Sequence, residues 1–276
     1  MSEQELQESL QLQRSLDKLA ECEREMSVAD RDVEIFRLKR THKVFEVRKE
    51  ILKNISNFWY IVLAENDDFA EYVSVEDLKY LEAIENMYVE YKISSIEEPS
   101  EEDLKHFKDF SVTISFTGGS GDGSVPKQSV TKHFQTIIED GEEKIISKPV
   151  NVQWPQELEN INPQAIKLQN KGKVLTKEHR ANYRLGMKSF FSWFSWTGEK
   201  PGKEFRNGED LTRLIIDDLY LNALKYYVLA LPNNDESEES DEEDSSEGEE
   251  LDLDDEDIND RKRGLEDDES ENKRQK

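Results

Sequence analysis

"LQRSLDKLAECEREMSVADRDVEIFRLKRTHKVFEVRKEILKNISNF", Leu12 to Phe58, decides what kind of fold this chain adopts. Its apolar residues fall at Leu12, Leu16, Leu19, Cys22, Met26, Ala29, Val33 and Phe36, then resume at Val44, Val47, Ile51, Ile55 and Phe58. Within each series the steps are threes and fours, the period of one face of an α-helix. No proline or glycine interrupts the chain before Pro99. A helix from about residue 5 to 54 is roughly 75 Å long at ~1.5 Å per residue. No body of this size covers such a rod, and the chain holds no second helix of comparable length. The seam Leu12, Leu16, Leu19, Met26, Val33, Phe36, Val44, Val47 and Ile51 therefore predicts a homodimer through this helix, with Cys22 a small core or interface residue. Between Phe36 and Val44 the basic residues Arg37, Lys39, Arg40, His42 and Lys43 read as a solvated face or a crossing point.

Beyond the rod the pattern changes. "NFWYIVLAENDDF", Asn57–Phe69, reads as a buried apolar end and a turn, and Ser74 with Asp77 forms a capping-box signature for a short helix from Val75. Period-two alternation follows in Asn86–Ile93, Phe110–Phe116 and Ser129–Ile138, with one or two short strands in "EEKIISKPVNVQW". These predict an antiparallel meander with one face buried and its other face against helices. "KEHRANYRLGMKSFFSWF", Lys177–Phe194, and "EDLTRLIIDDLYLNALKYYVLAL", Glu209–Leu231, each read as one helix. Between them, Phe190, Phe191, Trp193, Phe194 and Trp196 crowd five large aromatics into seven residues, an apolar plug between sheet and helices ended by a turn at Gly198. The fold class is α+β: a long dimerisation helix (1–56), a body of antiparallel sheet packed with helices (57–232), and an acidic tail (233–276).

The formal net charge is −26, of which residues 233–276 carry −16. That segment lacks the apolar content for a core and reads as disordered. Its basic clusters Arg261, Lys262, Arg263 and Lys273, Arg274 read as a nuclear import signal. The acidic field repels nucleic acid and attracts basic partners. A single cysteine excludes an intramolecular disulfide and fits the reducing cytosol or nucleus. No signal-peptide pattern opens the chain and no window approaches the ~18 apolar residues of a membrane span, so the expectation is a soluble intracellular protein.

The catalytic signals are weak. "TGGSGDGS", Thr117–Ser124, has Walker-like glycine spacing, but Ser124 stands where lysine is required, and the loop joins two strands. His42, His106, His133 and His179 make no zinc spacing, and "DLDDEDIND" lacks the glycine of a calcium loop. The reading is a non-enzyme with no cofactor and no metal.

Several stretches carry a family resemblance: "ECEREMSVADRDVEIFRLKR", "DFSVTISF", "QWPQELENINPQAI", "MKSFFSWFSWTGEKPGKEF" and "DLTRLIIDDLYLNALKYY". Together they resemble the nucleosome assembly protein (NAP/SET) family of histone chaperones, of the fungal vacuolar-protein-sorting seventy-five type. The glycine content of "TGGSGDGSVPKQ" departs from that pattern. The resemblance implies an antiparallel dimer of long helices, each subunit bearing a globular "earmuff". It implies core histones as cargo, a nuclear role and partnership with a histone acetyltransferase. It also implies that Asp217 and Asp218, the acidic pair of "DDLY", line a concave underside and bind histones, with Glu204, Glu209 and Asp210 as further candidates. The competing readings are a coiled-coil scaffold or adaptor with an acidic tail, and a DNA mimic with ordered carboxylates.

Overall fold

A computed structural model describes residues 3–118 and 125–232 of the chain. The expected disordered tail, with its import residues Arg261, Lys262, Arg263, Lys273 and Arg274, lies outside the described residues, as does the loop Gly119–Ser124. Helix α1 runs unbroken over Glu3–Leu52. Every seam residue named above is exposed in the single chain, from Leu16 at 50 % to Phe36 at 70 %. Cys22 is exposed beside them.

The trailing half of α1 carries a second stripe that the seam conceals. Ile35 and Leu38 pack on Ile93, with Tyr91, Leu104 and Phe107 around them, while Leu52 enters the main core with Phe45 at its margin. At ~100° per residue this stripe lies roughly opposite Val33, Phe36, Val44, Val47 and Ile51. The body thus holds one side of the rod and leaves the apolar side free. Leu6 to Asp30 touches no part of the body closely enough to lose exposure.

The body begins with α2 (Phe58–Glu65), entered through Asn57 in the left-handed region at φ 55°. Phe58, Trp59, Val62 and Leu63 face the core. Helix α3 (Asp67–Tyr72) is capped by Asn66, whose side-chain oxygen accepts from Phe69 N at 2.8 Å. The Ser74–Asp77 capping box forms as expected and opens a 3₁₀ turn that runs into α4 (Leu78–Leu81). Strand β1 (Ile84–Tyr91), the short α5 (Glu101–Lys105) and strands β2 (Phe110–Phe116), β3 (Gln128–Glu139) and β4 (Glu142–Ser147) follow. The four strands pair antiparallel in the order β1-β2-β3-β4. Asp140 and Gly141, both at positive φ, close the β3–β4 hairpin.

One face of the sheet buries Phe110, Val112, Ile114, Phe116, Val130 and Phe134. The opposite face corrects the sequence expectation: over β2 and β3 no described helix covers it. It carries exposed, facing hydroxyl pairs instead, Thr113 with Thr131 at 2.8 Å and Ser115 with Ser129 at 2.9 Å. Small hydroxyl side chains satisfy one another across the ladder and need no cover.

Two expected helices are also broken. After α6 (Pro163–Gln169), helix α7 covers only Lys177–Gly186, and Phe190–Ser195 forms a 3₁₀ segment. The cause is tertiary. A Cβ at Gly186 would stand 1.8 Å from the Ile161 carbonyl oxygen, so the helix is pressed onto that loop. Four residues on, Phe190 N donates to the fully buried Asp77 carboxylate at 2.8 Å, not to a helical carbonyl, and Ser189 Oγ donates to the same group at 2.7 Å. The last helix divides into α8 (Gly208–Arg213), a π turn (Leu214–Leu219) and α9 (Ala223–Leu229).

The aromatic plug is as expected. Phe190, Phe191, Trp193 and Phe194 have no exposed surface, and Trp193 Nε1 donates to Thr212 Oγ1 at 3.0 Å. Lys132 points into this apolar mass from β3, fully buried. Its Nζ donates to the carbonyls of Lys148, Phe194 and Trp196 at 3.0, 3.0 and 2.7 Å, tying the plug to the sheet. Burial pushes its ammonium down to about 7, against the pull of Glu204. No described helix is long and apolar enough to cross a membrane.

Candidate acidic binding surface

The five carboxylates singled out in the sequence have different surroundings. Asp217 and Asp218 are neighbours in the π turn, where Tyr220 N reaches back to the Ile215 carbonyl at 2.9 Å. The wide turn buries Ile215, Ile216 and Leu219 and gives the two aspartates unlike partners. Asp218 accepts from Tyr226 OH at 2.7 Å, Asn222 Nδ2 at 2.7 Å and Asn66 Nδ2 at 3.5 Å. It therefore ties α3 and α9 to the π turn. Asp217 accepts no hydrogen bond among the described residues. It stands at the rim of a small cavity against α1, and packing of the chain around it pushes its carboxyl above the usual range, with Arg213 and Arg37 pulling the other way.

Glu204 is spent internally, accepting from Thr197 N, Thr197 Oγ1 and Lys200 N at 2.7, 2.9 and 2.7 Å. It braces the turn that follows the aromatic plug. Glu209 accepts from Ile145 N at 3.0 Å and pairs with Arg213 at 2.8 Å, joining α8 to β4. Asp210 is exposed and its carboxylate makes no hydrogen bond among the described residues.

Asp210 belongs to a group that the sequence reading missed. Asp68, Glu71 and Asp210 all act on Tyr72, whose hydroxyl pKa is raised first by burial and then by these three charges. Asp68 also acts on Tyr226 beside Asp218. Asp67, Asp68 and Glu71 are exposed on α3, and no cation among the described residues pairs with them or with Asp210. Some carboxylates are compensated locally, as in Glu34–Arg37 and Glu50–Lys53; these four are not. The missed signal was present in "ENDDFAEY", four carboxylates in eight residues. A flank of carboxylates that lack cations attracts a cationic ligand at little desolvation cost. Among the described residues, no group of three or more His, Cys, Asp or Glu is placed to hold a metal ion.

A rod with a free apolar side, bearing an α+β earmuff with an uncompensated acidic flank, defines the architectural class. No family model matches the chain. It is 37 % identical over 258 residues to vacuolar protein sorting-associated protein 75 of Saccharomyces cerevisiae, covering 89 % of this chain and 93 % of that one. It is 30 % identical over 246 residues to a Schizosaccharomyces pombe protein whose name assigns it provisionally to the nucleosome assembly proteins, covering 84 % of each. Among solved structures, the crystal structure of the Vps75 histone chaperone superposes with a TM-score of 0.68 at 36 % identity, over 79 % of this chain and 98 % of that one. The chain belongs to the nucleosome assembly protein family. The resemblance carried by the aromatic block and the last helices is thereby shown, together with the rod-and-earmuff fold it implied.

Proposed function

We propose that this protein is a nuclear histone chaperone that acts as a homodimer. The seam of α1 joins two copies, and the body (57–232) and acidic segment (233–276) of each receive basic core histones. Nothing in this reading requires catalysis. Each surface ion pair contributes only ~0–1 kcal/mol, so shielding of histone charge comes from many weak contacts added across two subunits. The protein would thereby keep histones from non-specific association with DNA and release them for nucleosome assembly. The observation that carries the reading is the uncompensated group Asp67, Asp68, Glu71 and Asp210, in a chain 37 % identical to Vps75.

The test is binding of purified core histones over a salt series. Affinity should fall steeply with salt and drop at least tenfold at low salt when those four acids are replaced by Asn and Gln. Truncation after Pro232 should weaken binding further without changing the dimeric state. Histone affinity indifferent to both changes at every salt concentration would overturn the proposal. Presentation of histones to a histone acetyltransferase rests on the resemblance alone. Its test is whether the protein raises the acetylation rate of free H3–H4 when added to the enzyme.

A further inference from the structure

The chain as a whole is acidic, but residues 163–206 hold ten Lys and Arg against three Glu. All ten cations are exposed, and none forms an ion pair among the described residues. Three of them stand around one cavity of about 230 Å³: Lys167 on α6, and Lys200 and Lys203 in the turn that follows the aromatic plug. Its walls include Trp154, Met187 and Phe205. A cavity of ~150 Å³ holds a benzene ring, so this one admits a bulky apolar side chain. Among the described residues no cation lies over Trp154 or Phe205, while Lys167 Nζ stands 5.0 Å from the centre of the Tyr183 ring, a contact that leaves its charge unneutralised. Glu204, the one carboxylate in the lining, is spent on Thr197 and on Lys200 N. The site is preformed: Trp154 rests on Phe191 of the plug at 5.6 Å, and Glu204 fixes the turn that carries the two lysines.

We infer that this cavity docks an acidic segment of a partner protein, with one apolar side chain seated against Met187 and Phe205 and the flanking carboxylates on Lys167, Lys200 and Lys203. The lysines attract carboxylates and repel basic cargo, so the inference stands apart from the histone-binding reading and does not depend on it. A nucleic acid would meet the same lysines, but its repulsion by a chain of net charge −26 grows with every phosphate. A short acidic segment carries few charges and draws the rest of its binding from burial of its apolar side chain. Surface ion pairs alone hold weakly, which is why the apolar cavity between the lysines matters.

The test uses the full chain and a fluorescein-labelled peptide in which one phenylalanine stands between two pairs of glutamates. At low salt its anisotropy should saturate, with backbone chemical shifts moving at residues 163–167, 183–187 and 200–205. Alanine in place of the peptide's phenylalanine should weaken binding about tenfold, and so should Lys200→Gln combined with Lys203→Gln. Lys171→Gln combined with Lys173→Gln removes the same charge outside the cavity and should weaken it no more than twofold. All four lysines are exposed, so neither double variant disturbs the core. Equal losses in the two double variants, with the alanine peptide bound as tightly as the original, would leave a diffuse basic surface and overturn the site. A short DNA duplex that binds more tightly than the peptide, with the same loss in Lys200→Gln and Lys203→Gln, would give the face to nucleic acid and overturn the acidic partner. Absence of saturable peptide binding at every salt concentration would overturn it as well, whether or not histones bind.

Discussion

Asp217 and Asp218 share a residue type, adjacent positions and one turn, yet their environments give them opposite effects on stability. Partial desolvation by the surrounding chain, without a hydrogen-bond partner, raises the carboxyl of the exposed Asp217 above its unfolded value, so its charged form slightly disfavours the folded state. That stabilising effect of protonation is present below the unfolded value and is lost as pH rises through the folded one. Asp217→Asn should therefore melt at or above the temperature of the parent at pH 7, while losing histone affinity. Asp218→Ala strands Tyr226 OH and Asn222, and should lower stability by ~1–3 kcal/mol in denaturant unfolding. Lys132 offers a pH test of the core. Its folded pKa lies near 7, well below that of a free lysine, so the unfolded chain binds the extra proton between about 7 and 10.5 and stability rises with pH across that window. Below about 7 both states carry the proton and the cost of burying it is constant. The stability of the parent relative to Lys132→Met should thus rise from pH 7 to pH 10, by up to ~1.4 kcal/mol per unit. A difference that stays flat would mean that the three carbonyls hold the ammonium charged throughout.

At the scale of elements, legibility followed how far away the deciding contact lies. The strand β2 was readable because Phe110, Val112, Ile114 and Phe116 alternate with hydroxyl residues along seven positions. Lys132 occupies an inward position in an equally regular strand, but nothing local marks a lysine that three carbonyls from distant segments will hold. The end of α7 was hidden for a similar reason: the group that captures Phe190 N is Asp77, 113 residues earlier. Gly186 is the local trace of that break, and Gly186→Ala should cost ~3 kcal/mol in unfolding measurements because the new methyl collides with the Ile161 carbonyl. The split of the aspartate pair was unreadable because a π turn alters spacing without altering composition. In α1 the exposed seam showed clearly, whereas Ile35, Leu38, Phe45 and Leu52 on the opposite side made the trailing half look merely apolar.

The whole molecule follows from that rod. Its free side exposes Val33, Phe36, Val44, Val47 and Ile51, each more than half accessible, along a line that no other described residue covers. Apolar surface left uncovered to this extent favours association. Replacing Phe36 and Val44 together by Asp should give the light-scattering mass of one chain and leave the melting of the aromatic core nearly unchanged, since neither side chain enters it. A dimer mass that survived both charges would move the interface off the rod. With binding surfaces on two subunits, the same double variant should lose more histone affinity than its unchanged body predicts.

Because α1 is gripped on one side at Ile35 and Leu38 and free on the other, its rotational phase is set by the body, not by its neighbour. One alanine inserted after Arg31 would turn the leading arm by about 100° against the trailing one. Each earmuff would keep its anchorage, but Leu12, Leu16, Leu19 and Met26 would face away from the line continued by Val44 and Val47. Two such molecules could match along half a rod only, so a single added residue far from the acidic flank of α3 and α8 would weaken the grip on cargo by taking the pair of arms out of alignment.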